Sequence, residues 1–220
     1  MAKLAAAESV GINVGEGQIE ADLRVPEQAL GLVIFAHGSG SSRFSSRNRA
    51  VAEYLEANRL ATLLLDLLTR EEERIDNYTR EYRFDVAMLG RRVIFATDWA
   101  HRRDDLRTLP IGYFGASTGA AAALIGAARR PSIARAVVSR GGRPDLAESA
   151  LADVQAPTLL IVGGDDEPVI EMNRDAMRQI SAHVELEIIL GATHLFEEPG
   201  TLERVMELAA RWFTTHLARS

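Results

Sequence analysis

The stretch IGYFGASTGAAAAL, residues 111–124, decides the fold of this chain. An apolar run, Ile111 to Phe114, leads into Gly115-Ala116-Ser117-Thr118-Gly119, and an alanine-rich segment that favours helix follows. A serine between small residues, where a strand passes into a helix, is typical of a nucleophile elbow. The turn is so tight that its flanking residues must be glycine or nearly as small. We therefore predict that the hydroxyl of Ser117 is exposed above a sheet.

Composition limits the classes of protein to which the chain belongs. Its 220 residues, 47% of them hydrophobic, suffice for one substantial core, so we expect a single domain over residues 1–220. The net charge of -6 leaves no basic stripe for phosphates and argues against a nucleic-acid partner. The chain contains no cysteine, which excludes disulfides, thiolate metal sites and thiol catalysis.

Targeting signals are absent from the sequence pattern. The N-terminus lacks the basic-then-apolar order of a signal peptide, and no apolar run approaches about 18 residues. We expect a soluble, cytoplasmic protein with no membrane partner, no metal and no organic cofactor. The oligomeric state is left open.

Eight short segments have the pattern of strands. The first two alternate around a glycine turn, which predicts an antiparallel pair, whereas most of the others are continuously apolar, as in parallel strands covered on both faces. The last is more polar and is expected near an edge. The predicted strands are Ser9–Val14, Gln18–Val25, Gly31–Ala36, Leu60–Leu67, Leu109–Phe114, Arg135–Val138, Thr158–Val162 and Glu185–Leu190.

Helical segments separate the later strands. The predicted helices are Ala50–Ala57, Glu81–Ala100 with Phe84 on its apolar stripe, Thr118–Arg129, and a C-terminal helix that starts near Pro199. The charged segment Arg70–Arg83 is interpreted as a solvated loop or helix face. Strands that alternate with helices after an antiparallel start predict a three-layer α/β domain with a mostly parallel sheet.

A serine nucleophile needs a base and an acid that orients the base. Asp165 and Asp166 directly follow the predicted strand Thr158–Val162, and His194 follows the next one. The carboxyl ends of parallel strands share one edge of the sheet, so these side chains are expected beside Ser117. The order Ser, Asp, His is the one used by α/β-hydrolases. The pattern alone leaves the choice between the adjacent aspartates open.

Five motifs together resemble the α/β-hydrolase superfamily, and within it the dienelactone hydrolase-like group. They are HGSGSS, GASTGAAAAL, VSRGGRPDL, LLIVGGDD and GATHLFEEPG, and the resemblance covers almost the whole chain. It implies a three-layer α/β-hydrolase fold and a triad of Ser117, Asp166 and His194. Asp166 is preferred because the superfamily pattern Gly-x-x-Asp-x-x-Val fits Gly163, Asp166 and Val169.

The resemblance has one departure at the nucleophile. True dienelactone hydrolases have cysteine at the elbow, where this chain has Ser117. This difference favours small carboxylic esters or lactones in general over dienelactone as substrates. The interval between Val138 and Pro157 is too short for a large cap domain, which implies an open pocket.

Backbone N–H groups are expected to form the oxyanion hole. The N–H of Thr118 follows the nucleophile, and the second donor is assigned by position to Ser39 in the loop after Gly31–Ala36. His37, at the start of that loop, is interpreted as structural, holding the loop through side-chain hydrogen bonds.

Two arginines are candidates for binding an anionic part of a substrate. Arg43 directly follows the predicted oxyanion loop, HGSGSS at residues 37–42, and salt bridges with nearby acids are an equally good interpretation of its role. Arg140 is predicted at the carboxyl end of a strand, where a structural role is as plausible as substrate binding. Other functions stay open: an acyltransferase or perhydrolase would use the same triad, and a ligand receptor would use the fold without catalysis.

Overall fold

The structure is a computed structural model that describes residues 6–218. Its centre is an eight-stranded sheet in the order β1-β2-β4-β3-β5-β6-β7-β8. The strands are β1 (Glu8–Asn13), β2 (Gln18–Arg24), β3 (Gly31–Ala36), β4 (Leu60–Leu65), β5 (Ile111–Ala116), β6 (Ala134–Arg140), β7 (Thr158–Gly163) and β8 (Val184–Ile189). β1 and β2 are antiparallel to their neighbours and the other strands pair in parallel. All eight predicted strands are confirmed.

Helices cover both faces of the sheet and complete the predicted three layers. They are α1 (Ser46–Ala57), α2 (Arg70–Thr79), α3 (Val86–Arg102), α4 (Thr118–Arg129), α5 (Glu167–Met177) and α6 (Thr201–Leu217). α3 and α4 pack on one face, and α1 and α6 pack on the other. No helix between residues 6 and 218 has the length and hydropathy needed to cross a membrane.

Hydrophobic burial accounts for the continuous apolar runs. Every residue of β3, β4, β5 and β7 is buried, because helices exclude water from both faces of these strands. Strand β8 is half-buried along its whole length and lies at the edge, as its more polar sequence predicts.

The connection between β6 and β7 contains no inserted cap domain. The connection contains a short 3-10 segment, Pro144–Asp153, which packs against α4 and α5. It is too small to form a cap over the carboxyl ends of the strands, so the prediction of a fold without a large cap is confirmed.

The predicted helix Glu81–Ala100 is wrong at its start. Helix α3 begins at Val86, after Asp85 has capped the N–H of Met88. Residues 82–84 form a 3-10 turn, and the Phe84 side chain is exposed instead of joining the apolar stripe. The helical spacing of aromatic residues continues across this break, which is why the pattern alone misplaces the boundary.

A buried carboxylate from α2 holds that turn. Asp76 accepts hydrogen bonds from the backbone N–H groups of Tyr82 and Arg83, at 2.9 and 3.0 Å, and from the Arg83 guanidinium at 2.6 Å. Most of the segment Arg70–Arg83 is the exposed helix α2, which begins with a capping box between Thr69 and Glu72. Within this segment, the paired side chains of Asp76 and Arg83 are largely buried.

Candidate active site

The turn between β5 and α4 has the geometry of a nucleophile elbow. Ser117 has φ 51° and ψ -124°, a conformation that costs a residue with a side chain about 1–3 kcal/mol. A Cβ on Gly115 would lie 2.4 Å from Cα of Ala120, and one on Gly119 would lie 2.2 Å from the carbonyl oxygen of Ala36. Glycine is therefore required on both sides of Ser117, as the sequence predicts.

Backbone hydrogen bonds hold the elbow against the end of β6. The N–H of Ser117 donates to the carbonyl of Arg140 at 3.2 Å, and the carbonyl of Ser117 accepts from the N–H of Arg143 at 3.0 Å. These two bonds attach the elbow to the end of β6 and to the loop that follows it. Ser117 is thereby fixed at the carboxyl edge of the sheet.

The structure brings Ser117, Asp166 and His194 together. Nδ1 of His194 lies 2.7 Å from Oδ2 of Asp166, and Nε2 lies 3.4 Å from Oγ of Ser117. Asp166 directly precedes α5, and its side chain is 16% exposed against 37% for His194. The adjacent Asp165 is exposed and points elsewhere, while its N–H donates to the carbonyl of Ala192 at 3.0 Å. Asp166 is thus the aspartate that contacts the imidazole.

Close backbone packing places the histidine loop. A Cβ on Gly163 would lie 2.4 Å from the carbonyl oxygen of Ala192, and a Cβ on Gly141 would lie 2.9 Å from that of His194. Both glycines let neighbouring loops approach the strand ends.

Glu198 helps to hold the loop that contains the histidine, a role that the sequence analysis missed. Its carboxylate accepts from the N–H and the hydroxyl of Thr193 at 3.1 and 2.6 Å. The Thr193 hydroxyl, with backbone N–H groups, lowers the pKa of this carboxyl. The glutamate therefore ties together the two ends of the loop that contains His194. The signal was available in GATHLFEEPG, where an acid follows the histidine by four residues.

The loop after β3 lies directly beside the elbow. A Cβ on Gly38 would lie 3.1 Å from Cβ of Ser117, so this loop passes within contact distance of the nucleophile. The N–H of Ser39 donates to Oγ1 of Thr118 at 2.8 Å. The N–H of Thr118 lies in the first turn of α4, where the helix itself provides no acceptor. The link between Ser39 and the Thr118 side chain was not foreseen from the sequence.

His37 anchors the start of this loop through both ring nitrogens. Nδ1 lies 2.8 Å from the carbonyl of Gly38, and Nε2 lies 3.1 Å from the N–H of Leu67. Nδ1 therefore donates and Nε2 accepts, which is the arrangement of a neutral imidazole. Burial lowers the pKa of His37. These contacts match the structural role predicted for His37.

The two candidate arginines lie in different environments. Arg43 forms ion pairs with Asp22 and Asp66, and its guanidinium lies 4.2 Å from the centre of the Phe44 ring. Its contacts thus follow the salt-bridge interpretation. Arg140 is buried at the end of β6, where its guanidinium donates to Oδ1 of Asn48 at 3.4 Å.

A small cleft of about 60 Å³ opens on the α2 side of the loop formed by residues 37–42. Its far wall includes Asp66, Leu68, Asn77 and Arg83. The cleft is therefore lined on one side by the loop that contains Ser39 and elsewhere partly by polar side chains. Within residues 6–218, no three histidine or carboxylate side chains are grouped as metal ligands.

Comparison with known proteins identifies the family. The family model described as dienelactone hydrolase family matches residues 19–216. The chain belongs to the dienelactone hydrolase family. A crystal structure of a dienelactone hydrolase from Anabaena variabilis ATCC 29413 is 56% identical, with a TM-score of 0.94 over 96% of this chain and 98% of that chain. The α/β-hydrolase fold and the dienelactone hydrolase-like resemblance are thereby confirmed.

Other similar proteins are longer than this chain or more distant in sequence. Two proteins from Mycobacterium tuberculosis strains CDC 1551 and H37Rv, which carry the provisional name phosphoribosyl transferase, are 54% identical over 210 residues. That match covers 96% of this chain, and the chain spans 46% of the length of these relatives. Est1E from Butyrivibrio proteoclasticus shares the fold at 18% identity, with a TM-score of 0.79 over 96% of this chain and 99% of that chain.

Proposed function

We propose that this α/β hydrolase cleaves small carboxylic esters or lactones through an acyl-enzyme intermediate. The observation that carries the proposal is the relay from Asp166 through His194 to Ser117, at an elbow whose strain serves to expose the serine hydroxyl. A ligand receptor on the same fold has no need for a hydrogen-bonded acid, base and nucleophile.

Proton transfer follows from the contacts of the imidazole. Asp166 accepts from Nδ1–H, so the lone pair of Nε2 faces the Ser117 hydroxyl. At 3.4 Å this contact is long, as is common before substrate binds and the catalytic hydrogen bonds shorten. His194 takes the hydroxyl proton as Oγ attacks the carbonyl carbon. It then protonates the leaving alcohol, and later activates the water that releases the acyl group.

The oxyanion is stabilised in this mechanism by the N–H groups of Thr118 and Ser39. Support comes from the position of the Thr118 N–H at the positive end of α4 and from the contact of the oxyanion loop with Ser117. In the free protein the Ser39 N–H is held by the Thr118 hydroxyl. To act as an oxyanion donor, this N–H has to exchange the Thr118 hydroxyl for the substrate oxygen as its acceptor.

Replacing Thr118 by valine tests this arrangement. Valine keeps the shape of the side chain but removes the acceptor for Ser39, so the oxyanion loop loses its register with the elbow. We expect kcat to fall by about 10- to 100-fold, because displacement of a stabilising donor by about 1 Å has effects of that size. The measurement is steady-state hydrolysis of p-nitrophenyl acetate, with kcat and KM determined separately.

The matched variant Thr118→Ser keeps the hydroxyl and is expected to retain most of the activity. A merely structural effect of Thr118→Val would lower the fraction of active enzyme without changing KM or the pH profile. Equal activity of the valine variant and the parent would remove Thr118 Oγ1 from the proposal.

Active-site labelling tests the proposed function directly. A fluorophosphonate probe should attach to the folded protein at Ser117, located by mass spectrometry of the peptide, and should not attach after heat denaturation. The reason is that only a serine activated by its base reacts with such probes at neutral pH. Failure of the folded protein to react, together with the absence of ester turnover, would favour the ligand receptor.

Acyl transfer and perhydrolysis use the same triad and are separated by their products. Adding an alcohol or hydrogen peroxide to the ester assay would yield a new ester or a peracid in those cases. Ser117 is partly exposed to solvent, so water can reach an acyl group on it, which favours hydrolysis.

A further inference from the structure

The end of β6 contains a buried guanidinium with unused hydrogen-bonding capacity. Arg140 is 8% exposed, and its one hydrogen bond to a side chain is the 3.4 Å contact from Nη2 to Oδ1 of Asn48. Within residues 6–218, Nε and Nη1 of Arg140 are shielded from solvent and have no hydrogen-bond partner. A guanidinium offers five N–H donors, so most of this group awaits an acceptor.

A second guanidinium lies beside it. Arg47 pairs with Glu197 at 2.9 Å through Nη1, while its Nε is buried and, in the part of the chain that the structure describes, lacks a partner. Burial, followed by the positive charge of Arg47, lowers the pKa of Arg140 to about 10. The carboxylate of Glu197 pairs with Arg47, and the structure shows no ion pair of Arg140 within residues 6–218, so positive charge is in excess at this point.

The end of β6, from which the Arg140 side chain extends, contacts the proposed nucleophile through its backbone. The carbonyl of Arg140 accepts the N–H of Ser117, and Glu197 follows His194 by three residues. Arg47 and Asn48 occupy the first turn of α1, which begins at the rim because it follows the carboxyl end of β3. The positive end of the α1 dipole adds to the attraction for an anion there, and the first turn of α1 contains no acidic residue.

A buried guanidinium without a counter-ion is unfavourable, whereas a charge-assisted bidentate contact with an oxyanion is among the stronger polar interactions. We propose that Arg140 and Arg47 form a subsite for an oxyanion group of the substrate, beside the carbonyl that Ser117 attacks. This inference rests on the proposed function, and it narrows the substrates to esters that carry a carboxylate or a phosphate a few bonds from the scissile carbonyl. Asn48 orients the fork of Arg140 towards that group.

The subsite opens to solvent at its outer residue. The side chain of Arg47 is 31% exposed whereas Arg140 is 8% exposed, so an anion from solvent meets the Arg47 guanidinium more readily than that of Arg140. Arg43 does not contribute, because Asp22 and Asp66 already neutralise its charge.

Hydrolysis of three ethyl esters measures the preference. Ethyl butyrate is neutral, monoethyl succinate adds a carboxylate, and ethyl 3-phosphonopropionate adds a phosphate-like group at a similar distance. The rate of hydrolysis is measured in a pH-stat at neutral pH. We expect kcat/KM of the parent to be higher for one of the anionic esters than for the neutral ester. The anion that is favoured identifies the source of the oxyanion as a carboxylate or a phosphate.

Variants at the subsite then assign the preference to Arg140. In Arg140→Met, the ratio of anionic to neutral kcat/KM should fall by about 10- to 100-fold, the effect of losing a charged hydrogen bond. Arg140→Lys keeps the positive charge but loses the bidentate geometry of the guanidinium. Its ratio of anionic to neutral kcat/KM should lie between those of the methionine variant and the parent. Arg49→Gln removes the same charge from the same helix, at a residue that pairs with Asp22, and should leave the ratio unchanged.

Anion binding without turnover separates this inference from the proposed function. Succinate or phosphate, compared with chloride at equal ionic strength, should raise the Tm of Ser117→Ala and inhibit ethyl butyrate hydrolysis competitively in the parent. A rise in Tm without any ester turnover would contradict the hydrolase and retain the subsite. A ratio near one in the parent, with neither inhibition nor a rise in Tm, would overturn the subsite even if Arg140→Met failed to fold.

Discussion

Replacing Ser117 by alanine is expected to lower kcat/KM for p-nitrophenyl acetate by roughly 10⁴- to 10⁶-fold, the range seen when a serine triad loses its nucleophile. The alanine variant keeps the oxyanion donors and the imidazole but has no oxygen that can form the acyl-enzyme. Steady-state and burst-phase kinetics provide the measurement, because the burst of nitrophenol should disappear with the nucleophile.

The elbow supplies its own control for this experiment. Alanine at residue 117 meets the same backbone strain as serine, so the thermal unfolding curve should stay close to that of the parent. Ser117→Gly should be equally inactive, yet glycine adopts φ 51° readily and is expected to relieve a strain of about 1 kcal/mol. Near-parental activity in either variant would show that another group attacks the ester.

Replacing Asp166 by asparagine is expected to reduce kcat by about 10⁴-fold, as the corresponding change does in serine proteases. The asparagine amide can donate to Nδ1 of His194, which favours the tautomer with its proton on Nε2. That nitrogen then faces the Ser117 hydroxyl as a donor and cannot accept its proton. The loss should therefore appear in kcat more than in KM.

Asp165→Asn is the matched control, since it makes the same chemical change one residue away. Asp165 is exposed and its carboxylate does not contact the imidazole, so the activity should stay close to that of the parent. Labelling by fluorophosphonate should slow in Asp166→Asn and not in Asp165→Asn. The reverse pattern would assign the acid to Asp165.

Short-range signals carried most of the fold prediction. Gly115 and Gly119 predicted the elbow because a side chain at either position would clash. At Gly115 the clash is with Ala120, a few residues along the chain, and at Gly119 it is with the end of the neighbouring strand. Continuous apolar runs predicted the strands, since burial on both faces leaves that trace in the sequence. The approximate position of His194 followed from the same reasoning, because parallel strands end at a common edge.

Hydrogen bonds between polar side chains and the backbone left no comparable trace. The start of α3 depends on the Asp76 carboxylate, which intercepts the N–H groups of Tyr82 and Arg83 from an earlier helix. The hydrogen bond from Ser39 to Thr118 joins residues that are 79 apart in the chain. Within residues 6–218, Nε and Nη1 of Arg140 lack partners because of the side chains that surround them after folding. Spacing in the sequence cannot report such contacts.

The neutral imidazole of His37 has a consequence for work in acid. Its folded pKa lies below the ordinary value of about 6.5, chiefly through burial, so the unfolded chain takes up this proton more readily than the native protein. Lowering the pH below that value therefore erodes global stability while the surviving native molecules keep both His37 hydrogen bonds. The Tm of the protein is therefore expected to fall as the pH is lowered through weak acid, because protonation of His37 favours the unfolded chain.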